Sequence, residues 1–110
     1  MTTSDGICLQ FYVAENRRHR GVLVYEWLLR EAVKLGLPGG SAFRAIAGFG
    51  RHHRMHEQHF FELAGDVPIE IVFFVNEAEE ANLLKLIEAE GLSLFFVRHP
   101  ASYGVINGRD

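Results

Sequence analysis

The chain is 110 residues long, with a mass of 12.5 kDa, which is enough for one compact domain. It is 48% hydrophobic and only 23% charged, a balance that excludes a disordered tail and allows a buried core. A formal charge of −3 and a pI near 6.0 argue against a general nucleic-acid binder, and the single Cys8 leaves no intramolecular disulfide or cysteine-based zinc site.

Residues 1–6 have neither a basic nor an apolar signal region, and no apolar run approaches the roughly 18 residues that span a bilayer. The expectation is a cytoplasmic, single-domain protein. Nine phenylalanines are many for so small a surface-to-volume ratio, which favours an oligomer.

Ile7, Leu9, Phe11 and Val13 alternate with Cys8, Gln10, Tyr12 and Ala14, the pattern of a strand apolar on both faces. Glu15 to Arg20 is a polar, basic break. Gly21 to Leu35 turns helical, with Val24, Trp27, Leu28, Ala32 and Leu35 on one stripe, and Glu26, Arg30 and Lys34 four apart on the other. Gly36 is placed to end this helix, and Pro38-Gly39-Gly40 forbids its continuation.

Ser41 to Phe49 reads as a second strand. Residues 50–58 are polar and rich in His and Arg, an exposed loop, and 59–63 reads as a loop stem or short strand. Ile69, Ile71, Phe73 and Val75 give a third strand. Asn76 and Glu79 have the spacing of a capping box for a helix through Ala81, Leu84 and Ile87 to Gly91. Leu92 to Arg98 is the fourth strand, and the tail over 99–110 has no clear pattern.

The order β-α-β-β-α-β with right-handed crossovers predicts a ferredoxin-like α+β sandwich. Its sheet is antiparallel and four-stranded, with two helices on one face. The other face would carry Tyr12, Val72, Phe74, Phe95 and Val97, too apolar to leave wet, so the protein is expected to oligomerise through the sheet.

Gly48-Phe49-Gly50-Arg51 is the most informative stretch for chemistry. Two glycines let backbone N–H groups approach an anion, and Arg51 adds a planar, permanently charged fork. The same spacing fits a β-bulge followed by a surface arginine. His52, His53, His56 and His59 crowd the loop, and His52 and His56 would share a helical face at chelating distance. The plainer reading, and the one favoured here, is a solvated loop whose histidines contact a partner or an anion. His19, between Arg18 and Arg20, reads as part of a surface charge cluster or cleft wall. Cys8 should be an inert buried thiol, and Glu62 and Glu70 should pair with basic groups at an interface. No Ser or Cys stands at a recognisable catalytic spacing, so an enzyme is not expected.

The run SAFRAIAGFGR, a loop, and then VPIEIVFFV resembles the nitrogen-regulatory PII signalling proteins. The chain is more similar still, over about residues 7–98, to a PII-like family of undefined function, through LQFYVAEN, the Tyr-Glu helix and the GLPGG turn. This resemblance implies a homotrimer binding an adenine nucleotide in the clefts between subunits. The residues it carries over are Gly40, Ser41, Ala42, Gly48, Phe49, Gly50, Arg51 and His52, with Arg98 near the position of a C-terminal basic group. The nucleotide would act as an effector and not as a catalytic cofactor. Its occupancy would reshape the loop Arg51, His52, His53, Arg54, Met55, His56, Glu57 and Gln58, which would dock on a regulated protein such as a membrane transporter.

The chain departs from PII itself in three ways. Its loop is shorter and lacks a tyrosine for uridylylation, the segment before the last strand is only Glu90-Gly91-Leu92 without lysine, and the arginine-rich C-terminus is missing. With fewer cations available, AMP or ADP is favoured over ATP. The alternative is a trimer resembling CutA proteins, binding a divalent metal through His52, His53, His56 and His59.

Overall fold

The computed structural model describes residues 2–48 and 67–108. Strands β1 (Thr2–Ala14), β4 (Ser41–Arg44), β5 (Pro68–Val75) and β6 (Phe95–Val105) form an antiparallel sheet in the order β4-β5-β1-β6. Helices α1 (Val24–Lys34) and α2 (Glu77–Ala89) pack on one face. This is the ferredoxin-like α+β sandwich expected from the element order. A small hairpin, β2 (Arg18–His19) and β3 (Val22–Leu23), lies between β1 and α1.

The core follows from alternation along the two central strands. Leu9, Phe11, Ile71, Phe73 and Val75 share the helix-covered face and are fully buried with Val24 and Leu28 of α1 and Leu83 of α2. Burying each such side chain contributes roughly 1.5–3 kcal/mol. On α1 the predicted stripe buries Val24, Leu28 and Ala32, while Trp27 is half-buried and Leu35 exposed. Lys34 pairs with Glu31 at 3.1 Å and so leaves the predicted four-residue ladder.

The capping box of α2 forms as expected: Asn76 Oδ1 accepts from the Glu79 amide, and Glu79 accepts from the Asn76 amide, both at 2.8 Å. The buried stripe of α2 is Glu80, Leu83 and Ile87, with Leu84 packed at its edge and Ala81 exposed. Gly36 and Gly91 both sit at positive φ just past the helices they end, as predicted.

Four boundaries differ from the sequence expectation. The first helix begins at Val24, because Arg20 and Gly21 adopt positive φ and turn the chain into the hairpin; the Val24 amide then donates to the Arg17 carbonyl at 2.9 Å. The second strand ends at Arg44 and does not run on through 48. Its last rung is Ala45 N–H to the Pro68 carbonyl, where β5 begins, and no further partner strand lies alongside among the described residues. The first strand starts at Thr2, and the last runs from Phe95 to Val105, so most of the supposed tail is strand and Ile106–Gly108 is a 3-10 turn. Pro100 in β6 is tolerated because β6 is an edge strand, paired to β1 alone among the described residues.

Candidate functional site

Thr2–Gly6 pairs with Ala101–Val105 but not with β5, which starts its pairing at Ile7 and Val75. The two long strands therefore continue as a ribbon beyond the rest of the sheet. Between the ribbon and the start of β4 lies an open groove of about 820 Å³ on the sheet face away from the helices. Gly40, Ser41 and Phe43 line one side, Val72 and Phe74 the floor, and Tyr103 the ribbon side. Gly40 is required here by packing: a Cβ would run into the Phe73 ring and crowd Leu29. The backbone entering β4 is thus pressed onto the core, and the Ser41 side chain shares the groove face with Val72.

The bare face is as apolar as predicted. Tyr12 lies directly across from Phe95, and Gln10 from Val97. The Tyr12 and Phe95 rings are 5.9 Å apart, and Phe74 and Tyr103 meet at 6.2 Å. Phe43, Phe74 and Phe95 nevertheless remain 55%, 49% and 42% exposed.

One polar island interrupts this face. Glu70 Oε2 accepts from Gln10 Nε2 at 2.8 Å and from the Tyr12 hydroxyl at 3.2 Å. Within the protomer Glu70 is therefore met by two neutral donors supplied by the neighbouring strand. Desolvation, followed by the charge of Glu70, raises both the Tyr12 hydroxyl and the Cys8 thiol above their ordinary ranges. Cys8 is buried, as expected for an unreactive thiol. Beside the island, a cavity of about 160 Å³ is bounded by Tyr12, Phe43, Arg44, Ala45, Pro68 and Glu70.

At the far end of β4, several contacts tie together the two chain ends that lead into 49–66. Arg44 grips Glu15 with two guanidinium hydrogen bonds, one from Nε at 3.0 Å. The Glu15 amide donates to the Val67 carbonyl at 3.0 Å, and the Ala45 amide to Pro68 at 2.9 Å. The hydrogen bond from Arg44, aided by its charge, holds the Glu15 carboxyl below the usual carboxylate range.

The nominated residues are thus divided. Gly40 and Ser41 line the groove, whereas Ala42 shares the opposite face with Ile71. Gly48 lies against Pro68, beyond the other end of β4. Arg98 is on the far edge strand, committed to the buried Glu80 by hydrogen bonds from Nε at 2.5 Å and Nη2 at 2.8 Å. Phe49, Gly50, Arg51, His52 and the rest of the loop through Gln58, with His59 and Glu62, lie outside the described residues. Among the described residues no group of three or more His, Cys, Asp or Glu is placed to hold a metal. No helix among them is long and apolar enough to cross a membrane.

The sequence reading missed the ribbon side of the groove. The alternation of Ala101, Tyr103 and Val105 carried that signal, but it was masked by Pro100 and Gly104.

Comparison with solved structures gives the same architecture. CPII of Thiomonas intermedia K12, solved bound to ADP and bicarbonate, matches with a TM-score of 0.67 and 20% identity, covering 96% of this chain and 95% of that one. Another CPII structure, bound to ADP, AMP and acetate, matches over 100% of both chains with a TM-score of 0.63 and 17% identity. A PII-like signalling protein of Thermus thermophilus gives 0.62 at 17% identity over 94% and 92%. In sequence, a UPF0166 protein of Aquifex aeolicus (strain VF5) is 32% identical over 72 residues, 66% of this chain and 68% of that protein. The DUF190 family model, described as an uncharacterized ACR, matches residues 6–93. A PII-like fold and a family match over most of its length place this chain in the DUF190 family.

Proposed function

We propose that this chain is a non-enzymatic, PII-like sensor that binds an adenine nucleotide, AMP or ADP ahead of ATP, and regulates a partner protein through the 50–59 loop. The groove carries this reading. It offers about 820 Å³, aromatic walls at Phe43, Phe74 and Tyr103, and the backbone of Gly40-Ser41, where the resemblance to PII places nucleotide contacts. The ligands named for the CPII structures, ADP and AMP, belong to the same class. Exposed aromatic rings give a planar base surfaces to stack on, and the open side leaves room for a second subunit to close the site.

A homotrimer is part of the proposal. The exposed rings of Phe43, Phe74 and Phe95 form an apolar face that a monomer would leave in water. Arg51 is assigned to a phosphate, in line with its place after Gly48-Phe49-Gly50.

The test is titration calorimetry with AMP, ADP, ATP and Zn²⁺, with mass measured by light scattering in the same buffer. One adenine nucleotide per subunit of a trimer, with the triphosphate weakest, is the expected result. Zinc heat without nucleotide heat would transfer the assignment to the loop histidines, and a stable monomer would remove the inter-subunit cleft.

A further inference from the structure

Helix α2 has Glu77, Glu79 and Glu80 in its first turn and no basic residue in its last. Its C-terminal end, where carbonyl groups gather partial negative charge, therefore lacks a cation of its own. The β2–β3 hairpin supplies what the helix lacks. Arg17 Nη1 donates to the Ser93 carbonyl at 2.7 Å, His19 Nε2 lies 2.8 Å from Glu90 Oε1, and Arg20 Nε is 3.3 Å from the same oxygen. The His19 side chain is only 14% exposed, and its ring meets Trp27 of α1 edge-on, 5.2 Å between centroids. One imidazole thus joins the hairpin to both helices. The turn that delivers it is costly in conformation, since Arg20 sits at φ 52°, a region disfavoured for a side chain of this kind.

We propose that His19 and Glu90 form a proton-sensitive clasp that fixes the β2–β3 hairpin onto the C-terminal end of α2. Histidine is the side chain whose charge changes most readily near neutral pH, and a charged imidazole binds a carboxylate more strongly than a neutral one. Among the described residues the charged group in contact with His19 is Glu90, at the end of α2; Arg20 shares that carboxylate, Arg17 holds the nearby Ser93 carbonyl, and Trp27 is the neighbour on α1. Arg20 shares the carboxylate and keeps part of the attraction after His19 loses its proton, so the hairpin loosens without being released.

The hydrogen bond from His19, with the charges of Arg20 and His19, holds the Glu90 carboxyl below the usual carboxylate range. Glu90 accordingly contributes above that range and loses its contribution as the pH falls through its lowered value. A neutral imidazole binds this carboxylate less strongly than an imidazolium does, so loss of the imidazole proton weakens the clasp from the other side. The clasp is tightest between the two. Its hinge lies beside the stem of the 49–66 segment: the Arg17 amide donates to Ala14, and the next residue, Glu15, donates to Val67. The clasp uses no residue that lines the groove, so its test reads the hairpin with no nucleotide present.

Trp27 is the sole tryptophan and touches the imidazole, so its emission reads the clasp directly. The experiment is a fluorescence titration of the full chain from about pH 5 to 8.5, spanning the histidine range, with amide exchange at Val24 corrected for intrinsic rate. Expected are an emission transition in the histidine range that His19→Gln abolishes, and a severalfold loss of Val24 protection across it. Glu90→Gln should abolish the pH-dependent change in Val24 protection, because the imidazolium loses its counter-charge. A flat wild-type profile, a transition that survives His19→Gln, or a change in Val24 protection that survives Glu90→Gln would each overturn the clasp. If His19→Gln fails to fold, Val24 protection in Glu90→Gln still decides.

Discussion

Phe73 and Phe74 are adjacent in β5 and face opposite ways. Phe73 is fully buried beneath the helices and meets Phe11 edge-on at 6.1 Å, while Phe74 is 49% exposed on the bare side. One alternating strand thus builds two aromatic-bearing surfaces of unequal completion. The helix-covered face is finished within one chain. The other holds aromatic rings, a groove and a polar island, and on the proposed reading it is finished by a ligand and another copy. A sheet with helices on one side separates stability from recognition, because substitutions on one face leave the other face's contacts in place.

This separation can be tested by substitution. Phe73→Ala should cost about 3–5 kcal/mol of folding stability, read from denaturant midpoints, since it empties a closed core. Phe74→Ala should change protomer stability by no more than about 1 kcal/mol while lowering the assembled mass in light scattering. If the two substitutions destabilise equally, the bare face belongs to the folding core and the contrast fails.

Phe43→Ala and Arg51→Ala act on recognition alone. Each should weaken adenine nucleotide binding about tenfold in calorimetry, corresponding to about 1.4 kcal/mol, with unfolding unchanged. Unaltered affinity in Phe43→Ala would move the base away from the groove.

Tyr12→Phe removes one of the two donors to Glu70, and about 1 kcal/mol of stability should go with it. A larger loss would mean that the island holds the protomer together and does not merely keep a carboxylate satisfied on an apolar face.

The smallest expected effect is electrostatic. The Glu15 carboxyl is held low by Arg44, so that pair contributes above the ordinary carboxylate range and is lost as acid protonates Glu15 through its lowered pKa. Both partners reach solvent, so acid unfolding of Arg44→Gln should differ only slightly from wild type, and less in high salt.

What could be read in advance was local. Alternation in Ile7–Val13 and Ile69–Val75, the Asn76–Glu79 capping box and the glycines at 36 and 91 all express interactions within about four residues, and they fixed the element order and the sandwich. The apolar character of the bare face followed from the same alternation. For the candidate site, Gly40 and Ser41 were visible through the resemblance, while the ribbon that closes the groove was not. Pro100 looks like a strand terminator until β6 is known to be an edge, and edge status is a property of the whole sheet.

The remaining features were decided by tertiary structure. Arg98 looked available for a phosphate and is instead bound to Glu80, a carboxylate buried by the packing of α2 on the sheet. Glu70 meets donors 58 and 60 residues away, and His19 meets Glu90 across 71. Short-range preferences along the chain determined which elements form. Which charged group satisfies which depended on burial and on strand neighbours, quantities that exist only once the sheet has closed.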